Sequence, residues 1–238
     1  MRLDKYLVEE AYFESRNRAL EAIKSGKVKV DGKIAKPSVK VGPNSHIDVE
    51  EAKFYVSRAA RKLEQFLEAY PLNLDEKRAL DIGSSTGGFA QILLEQGVVS
   101  LDCVDVGSDQ LHRVIREDER VTVYEETDIR AFESGKNYEV ITCDVSFISI
   151  LQIIEAMKRL AGTKCDIIIL YKPQFEVGRE VRRDSRGVVL DRDAIERKRE
   201  QFEAQAAQLD WSLRYQAASR VTGKEGNVEY LYHFESGV

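Results

Sequence analysis

The stretch Asp81-Ile82-Gly83-Ser84-Ser85-Thr86-Gly87-Gly88-Phe89 decides how this chain is read. It follows the strand-like approach Arg78-Ala79-Leu80 and leads into an apolar helical pattern, Phe89-Ala90-Gln91-Ile92-Leu93-Leu94. A strand that turns on several glycines into a helix N-terminus brings a ligand up to bare backbone. About 20 residues further on, a second apolar run, Leu101-Asp102-Cys103-Val104-Asp105, ends in a carboxylate suited to a ribose. This pairing predicts a nucleotide-like cofactor.

Outward from the loop, apolar strands alternate with helical segments at 78–82, 88–96, 100–105, 120–124, 138–143, 149–160, 165–171, 191–208, 211–218 and 228–234. The alternation predicts an α/β fold, a doubly wound, mostly parallel Rossmann-like sheet with helices on both faces. No helix separates the last two strands, so the C-terminal edge is expected to be antiparallel. A helix from Arg58 to Tyr70 opens this domain, expected over 57–238, and 51–56 reads as a linker.

Residues 1–50 read as a small α+β module. Leu3, Leu7 and Val8 form a short helical stripe, and Ser15 is placed to cap a helix through Ala19, Leu20 and Ile23 to Gly26. Lys27-Val28-Lys29-Val30 alternates, Asp31-Gly32 predicts a hairpin turn, and Lys33-Ile34-Ala35 returns. Pro37, Gly42 and Pro43 precede a strand at His46-Ile47-Asp48-Val49.

Charge is uneven. Residues 1–62 hold 14 Lys and Arg against 9 Asp and Glu, a net of +5, while the remainder holds 22 against 32, a net of −10. A basic head on an acidic body suits a polyanionic partner. No apolar run approaches the roughly 18 residues of a membrane span, and Met1-Arg2-Leu3-Asp4-Lys5 has no signal-peptide character. A cytoplasmic monomer without membrane contact is expected. Cys103, Cys143 and Cys165 sit in apolar runs and His46, His112 and His233 are isolated, so no metal is expected.

The glycine loop departs from the dinucleotide fingerprint, since Ser85 stands at the middle position of G-x-G-x-x-G, where backbone must clear a pyrophosphate. S-adenosylmethionine has no phosphates, and it is favoured over NAD. Gly83, Ser84, Ser85, Thr86, Gly87, Gly88 and Phe89 would cradle its amino-acid part, Asp105 its ribose and Asp128 its adenine, with Asp144 beside the methyl group.

The segment Tyr55-Val56-Ser57-Arg58-Ala59-Ala60-Arg61-Lys62-Leu63 resembles the entry helix of FtsJ-type RNA 2′-O-methyltransferases, which use a Lys-Asp-Lys-Glu tetrad. Candidates stand in that order: Lys62, Asp144 in Asp144-Val145-Ser146-Phe147-Ile148-Ser149, Lys172 in Lys172-Pro173-Gln174-Phe175-Glu176-Val177-Gly178, and Glu229. Arg2-Leu3-Asp4-Lys5-Tyr6-Leu7 and Ser15-Arg16-Asn17-Arg18-Ala19 are similar to the RNA-binding module named after ribosomal protein S-four. From end to end the chain resembles the TlyA family. That resemblance implies SAM-dependent 2′-O-methylation of a cytidine ribose in ribosomal RNA, with the RNA or a ribosomal subunit as partner. The span of the chain resembles the shorter members of the family, associated with large-subunit RNA.

A ribose 2′-hydroxyl is a poor nucleophile, and a lysine helps it only if cations and desolvation lower the lysine's proton affinity. Lys172 is the candidate general base, or the cation that stabilises the alkoxide. Lys62 and Glu229 would orient the ribose and Lys172, and Asp144 would bridge the lysines and the donor. Arg2, Lys5, Arg16, Arg18, Lys24, Lys27, Lys29 and Lys33 are candidates for RNA phosphates, with Arg58 and Arg61 at the domain junction. Arg179, Arg182, Arg183 and Arg186 lie in a Gly-containing stretch read as a mobile loop over the substrate. Two rivals stand beside this reading: a haemolysin acting on membranes, and a non-catalytic RNA-binding assembly factor.

Overall fold

The computed structural model describes residues 1–9, 12–13, 15–42, 45–50 and 54–237. Pro43 and linker residues 51–53 lie outside them. The chain forms two compact units, Met1–Phe54 and Tyr55–Val238.

The first unit holds helices α1 (Leu3–Glu9) and α2 (Arg16–Lys24) and strands β1 (Val28–Val30), β2 (Lys33–Ile34) and β3 (Ile47–Val49). Ser15 caps α2, its Oγ accepting from the Arg18 N–H at 3.4 Å. Asp31 and Gly32 both take left-handed backbone, φ 52° and 75°, which is what a two-residue turn between twisted strands requires. The antiparallel sheet runs β2-β1-β3. Leu3, Leu7, Ala19, Ile23 and Val28 form its core.

The second unit begins with α3 (Arg58–Ala69), β4 (Arg78–Ile82), α4 (Gly88–Glu95), β5 (Ser100–Val104), α5 (Arg113–Arg116), β6 (Val121–Tyr124) and β7 (Tyr138–Cys143). A 3-10 turn (Ile150–Gln152), α6 (Ile154–Leu160), β8 (Ala161–Tyr171), α7 (Pro173–Glu176), α8 (Arg192–Gln208), β9 (Trp211–Ala218) and β10 (Tyr230–Ser236) complete it. The sheet order is β6-β5-β4-β7-β8-β10-β9. Pairs from β6 to β8 are parallel, and β10 is antiparallel to both β8 and β9. This is the expected doubly wound sheet with an antiparallel edge. Ile167, Ile168, Ile169 and Leu170 are fully covered, as a strand packed on both faces demands.

Two local expectations change, and two short helices are added. The segment 149–160 is not one helix: Ser149 Oγ caps the 3-10 turn through the Leu151 N–H, and α6 starts only at Ile154. Strand β8 starts at Ala161 rather than at 165, with Lys164 in left-handed backbone at φ 56°. Helices α5 and α7 have four residues each, too short to show a helical period. The highly charged α8 is anchored by one large side chain, Phe202, packed edge-on against Tyr232 and Phe234 with interplanar angles of 89°.

Strand order reverses between β4 and β7. The connections from β4 proceed outward through β5 and β6, and the chain then returns to the other flank of β4. Ligands of open α/β sheets bind beyond the carboxyl ends of strands at such a switch point. The glycine loop leaves β4 there, and Asp144 leaves β7.

Candidate active site

The loop from Gly83 to Phe89 depends on absent side chains. Gly83 has φ 73°, and a Cβ on it would lie 2.9 Å from the Asp144 carbonyl oxygen. A Cβ on Gly88 would lie 2.2 Å from Ser57 Oγ and 2.9 Å from the Ala60 nitrogen, so this glycine lets α3 meet the start of α4. Gly87, at φ 90°, is the N-cap of α4. Ser85 is also left-handed, at φ 45°, and Asp105 holds it there. The Asp105 carboxylate accepts from the Ser85 N–H at 2.8 Å and the Gly107 N–H at 2.7 Å. It therefore pins the loop from the end of β5.

A cleft of about 640 Å³ opens at this place. Its lining includes Gly83, Ser84, Ser85, Thr86, Gly88, Phe89 and all four tetrad candidates. Gly87, Asp105 and Asp128 stand outside that lining. Asp128 turns to Arg130, accepting from its Nη2 at 2.5 Å and from its backbone N–H at 2.9 Å. These bonds hold the Asp128 carboxyl down at about 2.

Lys62 is no solvated surface residue. Helix α3 turns Ala60, Leu63, Phe66 and Leu67 into the core, and Lys62 goes in with them. Its Nζ donates to Glu229 Oε2 at 2.5 Å, with side chains only 8% and 3% exposed. Lys172 pairs instead with Asp144 Oδ1 at 2.5 Å and donates to Ser146 Oγ at 3.0 Å. The four candidates thus form two ion pairs, and Asp144 does not bridge both lysines. Nor is Asp144 a cap for the next helical segment, since Ser149 and Glu176 serve that end.

Sequence reasoning gave no role to several residues that shape this cleft. Gln174 donates from Nε2 to Glu229 Oε1 at 2.9 Å, so Glu229 is held on both oxygens. Gly223 leaves room for that carboxylate, because a Cβ there would lie 2.6 Å from Glu229 Oε1. Phe147 is 91% exposed and left-handed at φ 66°, with its ring 5.0 Å from that of Phe175. Left-handed backbone at a bulky residue costs about 1–3 kcal/mol and gathers at functional sites. Gln174 and Phe147 both sit in strings that drew attention for Lys172 and Asp144; that adjacency was the available signal.

Asp81 is buried and lines the cleft. It accepts from Thr142 Oγ1 at 2.7 Å and the Ala90 N–H at 3.1 Å. Burial pushes its carboxyl up to about 7; the two hydrogen bonds oppose this, and nearby Asp144 and Asp105 add to it. A carboxyl raised on folding favours the folded state fully below its unfolded value of about 4, and that contribution is lost as pH rises through its folded value. The melting temperature is therefore expected to fall between roughly pH 4 and pH 7, and Asp81→Asn should flatten much of that fall. A wild-type profile that is level across this window would contradict the assignment.

The basic candidates divide. In the first unit Arg2 and Arg16 converge on Asp4, Arg18 lies 4.6 Å over the Phe54 ring, Lys29 pairs with Glu50 at 3.5 Å, and Lys5, Lys24 and Lys33 are exposed while Lys27 is half-buried. In the second, Arg58 is exposed on the cleft wall and Arg179 is exposed beyond it. The stretch read as a mobile loop is pinned. Arg183 donates to the carbonyls of Gln174 and Gly178 at 3.0 and 2.9 Å, and Asn227 Oδ1 accepts from the Val189 N–H at 2.9 Å. Arg183 therefore ties its own segment to the edge of the cleft, while Arg186 bonds Asp184 and Arg182 is exposed.

Known proteins match this chain along its length. The FtsJ-like methyltransferase model matches residues 55–236, and the S4 domain model matches 1–47. The 23S rRNA (cytidine-2′-O)-methyltransferase TlyA of Campylobacter jejuni is 42% identical, over 98% of this chain and 99% of its own. The chain belongs to the TlyA family. A second TlyA member, the 16S/23S rRNA (cytidine-2′-O)-methyltransferase of Mycobacterium tuberculosis, is 37% identical over 97% of this chain and 88% of its own. A solved Streptococcus thermophilus protein, designated a candidate hemolysin, superposes with a TM-score of 0.74 at 31% identity, covering 100% of this chain and 88% of that one. Methyltransferase and hemolysin names thus meet on one TlyA architecture. Among the described residues, no helix is long and apolar enough to cross a membrane.

Proposed function

We propose that this protein transfers the methyl group of S-adenosylmethionine to the 2′-hydroxyl of a cytidine ribose in ribosomal RNA, with large-subunit RNA the favoured substrate. The observation that carries the reading is the pair of lysine–carboxylate contacts assembled at the switch point beside the glycine loop. The donor fits the site: it carries no phosphate, and the loop packs so closely on Asp144 at Gly83, and on the start of α3 at Gly88, that side chains at these two positions have no room. Bound there, it supplies an electrophilic methyl group on a sulfonium.

The protein's own residues do the rest. The Gly83–Phe89 backbone and Asp105 receive the donor, each Asp105 oxygen keeping a lone pair for a ribose hydroxyl. Asp128 would meet adenine only at the edge of its bond with Arg130. Asp144 holds Lys172 Nζ at the carboxyl end of the sheet, where Lys172 takes the proton from the attacking hydroxyl or stabilises the alkoxide. Lys62, Glu229 and Gln174 fix the acceptor side. In the first unit Arg2, Lys5, Arg16, Arg18, Lys24 and Lys27 face RNA phosphates, and Arg58 and Arg179 do so from the second.

Phe147 gives the exposed aromatic face on which an unstacked base rests. Phe147→Ala is expected to raise KM for RNA roughly tenfold, since stacking on one aromatic ring is worth about 1–3 kcal/mol per base. Donor affinity should stay unchanged, and an unaltered KM would exclude the stacking role.

The test of the whole reading is labelled methyl transfer onto separated ribosomal subunits from a strain lacking this protein, followed by mapping of the modified ribose. Donor binding without transfer to either subunit would favour the assembly-factor rival. Dye release from liposomes by the purified protein would favour the membrane-active one.

A further inference from the structure

Asp4 carries a carboxylate with no solvent exposure, near the start of α1. It receives two arginines that lie far apart in sequence. Arg2 reaches it as a fork, Nε to Oδ1 at 2.9 Å and Nη2 to Oδ2 at 3.3 Å. Arg16, the first residue of α2, donates from Nη2 to Oδ2 at 2.7 Å. Their side chains remain 54% and 57% exposed. The negative charge is covered and the two positive charges face solvent. Hydrogen bonds from Arg2 and Arg16 hold the Asp4 carboxyl down at about 2, so it is ionised at neutral pH.

Neutralising one buried carboxylate needs one cation, yet here there are two, which leaves a surplus positive charge. A buried ion pair is a poor source of stability compared with an apolar replacement. What this arrangement provides is geometry. Two like-charged guanidiniums repel when side by side, and the shared carboxylate allows them to be neighbours with fixed rotamers. Toward Asp4, Arg2 commits its Nε and Nη2, and Arg16 its Nη2, out of five N–H groups on each guanidinium. Preset guanidinium planes with further donors suit a phosphodiester and lose less freedom on binding it.

We propose that Asp4 is the positioning residue of an arginine clip, Arg2 with Arg16, that grips one phosphodiester of the RNA substrate. The proposal rests on the reading of the first unit as RNA-binding.

The test has an opposed sign. Asp4→Asn adds one net positive charge, so charge alone makes binding to a polyanion tighter. If Asp4 positions the clip, binding weakens instead. The full-length protein is titrated against ribosomal subunits from a strain lacking it, over a series of salt concentrations. Asp4→Asn should bind about tenfold more weakly, with a salt slope lower by roughly one. Arg16→Lys, which keeps the charge but loses the planar fork, should weaken binding in the same direction. Thermal melting and donor affinity report whether the variants remain folded. Should Asp4→Asn unfold the first unit, Arg16→Lys decides, and unchanged affinity in that variant overturns the clip. Tighter or equal binding by a folded Asp4→Asn also overturns it. Salt-dependent wild-type binding that neither variant alters sinks the clip alone, whereas no salt-dependent binding by wild type sinks the RNA reading with it.

Discussion

Lys172→Ala is expected to lower methyl transfer by about 10²–10⁴-fold, the range for removing a group that moves or stabilises a proton in the transition state. Donor affinity should change little, because the loop at Gly83–Phe89 and its anchor Asp105 do not depend on Lys172. The fold should persist as well. Asp144 and Lys172 both line the open cleft, so the space the lysine vacates admits water to the carboxylate left behind. Lys172→Arg then separates the two roles open to this residue. Arginine retains the cation but does not give up its proton near neutral pH. Substantial turnover by the arginine variant would mark Lys172 as the cation that steadies the alkoxide, and its loss would mark Lys172 as the base. Near-native turnover by the alanine variant would remove Lys172 from the chemistry.

Glu229→Ala is expected to damage stability and turnover together. Lys62 and Glu229 are almost wholly covered, and removing one partner strands a buried charge at a cost of about 3–5 kcal/mol. The rescue is more informative. Replacing both partners with apolar residues of similar size, Lys62→Met with Glu229→Leu, removes the stranded charge and should restore most of the melting temperature. Turnover should remain low, because the acceptor side has lost both polar groups. Full recovery of turnover in the double variant would show that the pair serves the fold and not the reaction.

Much of this molecule was legible in one dimension because its signals are local. The run Ile167-Ile168-Ile169-Leu170 announces a strand buried on both faces, and Asp31-Gly32 announces a turn that needs two left-handed residues. The glycine loop announces a close backbone approach for the same reason. Each depends on the conformational range or polarity of residues adjacent in the chain. Helices α5 and α7 were not legible, since four residues carry no period. Arg183 reads as one more loop cation, yet its partners are backbone carbonyls, and any sequence presents carbonyls everywhere.

The candidate site shows the same division. The loop Asp81–Phe89 with Ser85 pointed to a methyl donor, and the resemblance of Lys62, Asp144, Lys172 and Glu229, in that order, to the FtsJ-type tetrad implied a hydroxyl acceptor. Which lysine meets which carboxylate was not in that order. Lys62 and Glu229 lie 167 positions apart, and their contact exists only because α3 packs on the start of α4 while the chain returns from β9 to β10. The exposure of Phe147 and the grip of Gln174 on Glu229 are likewise products of packing. Covalent neighbours determine backbone preference and residue chemistry, so the sequence by itself determined the α/β order and the loop, and its family resemblance implied the class of reaction. Charge pairing and burial depend on distances between segments that only the folded units set, so the tertiary structure alone decided the two ion pairs, the buried Lys62 and the meeting of Arg16 with Asp4.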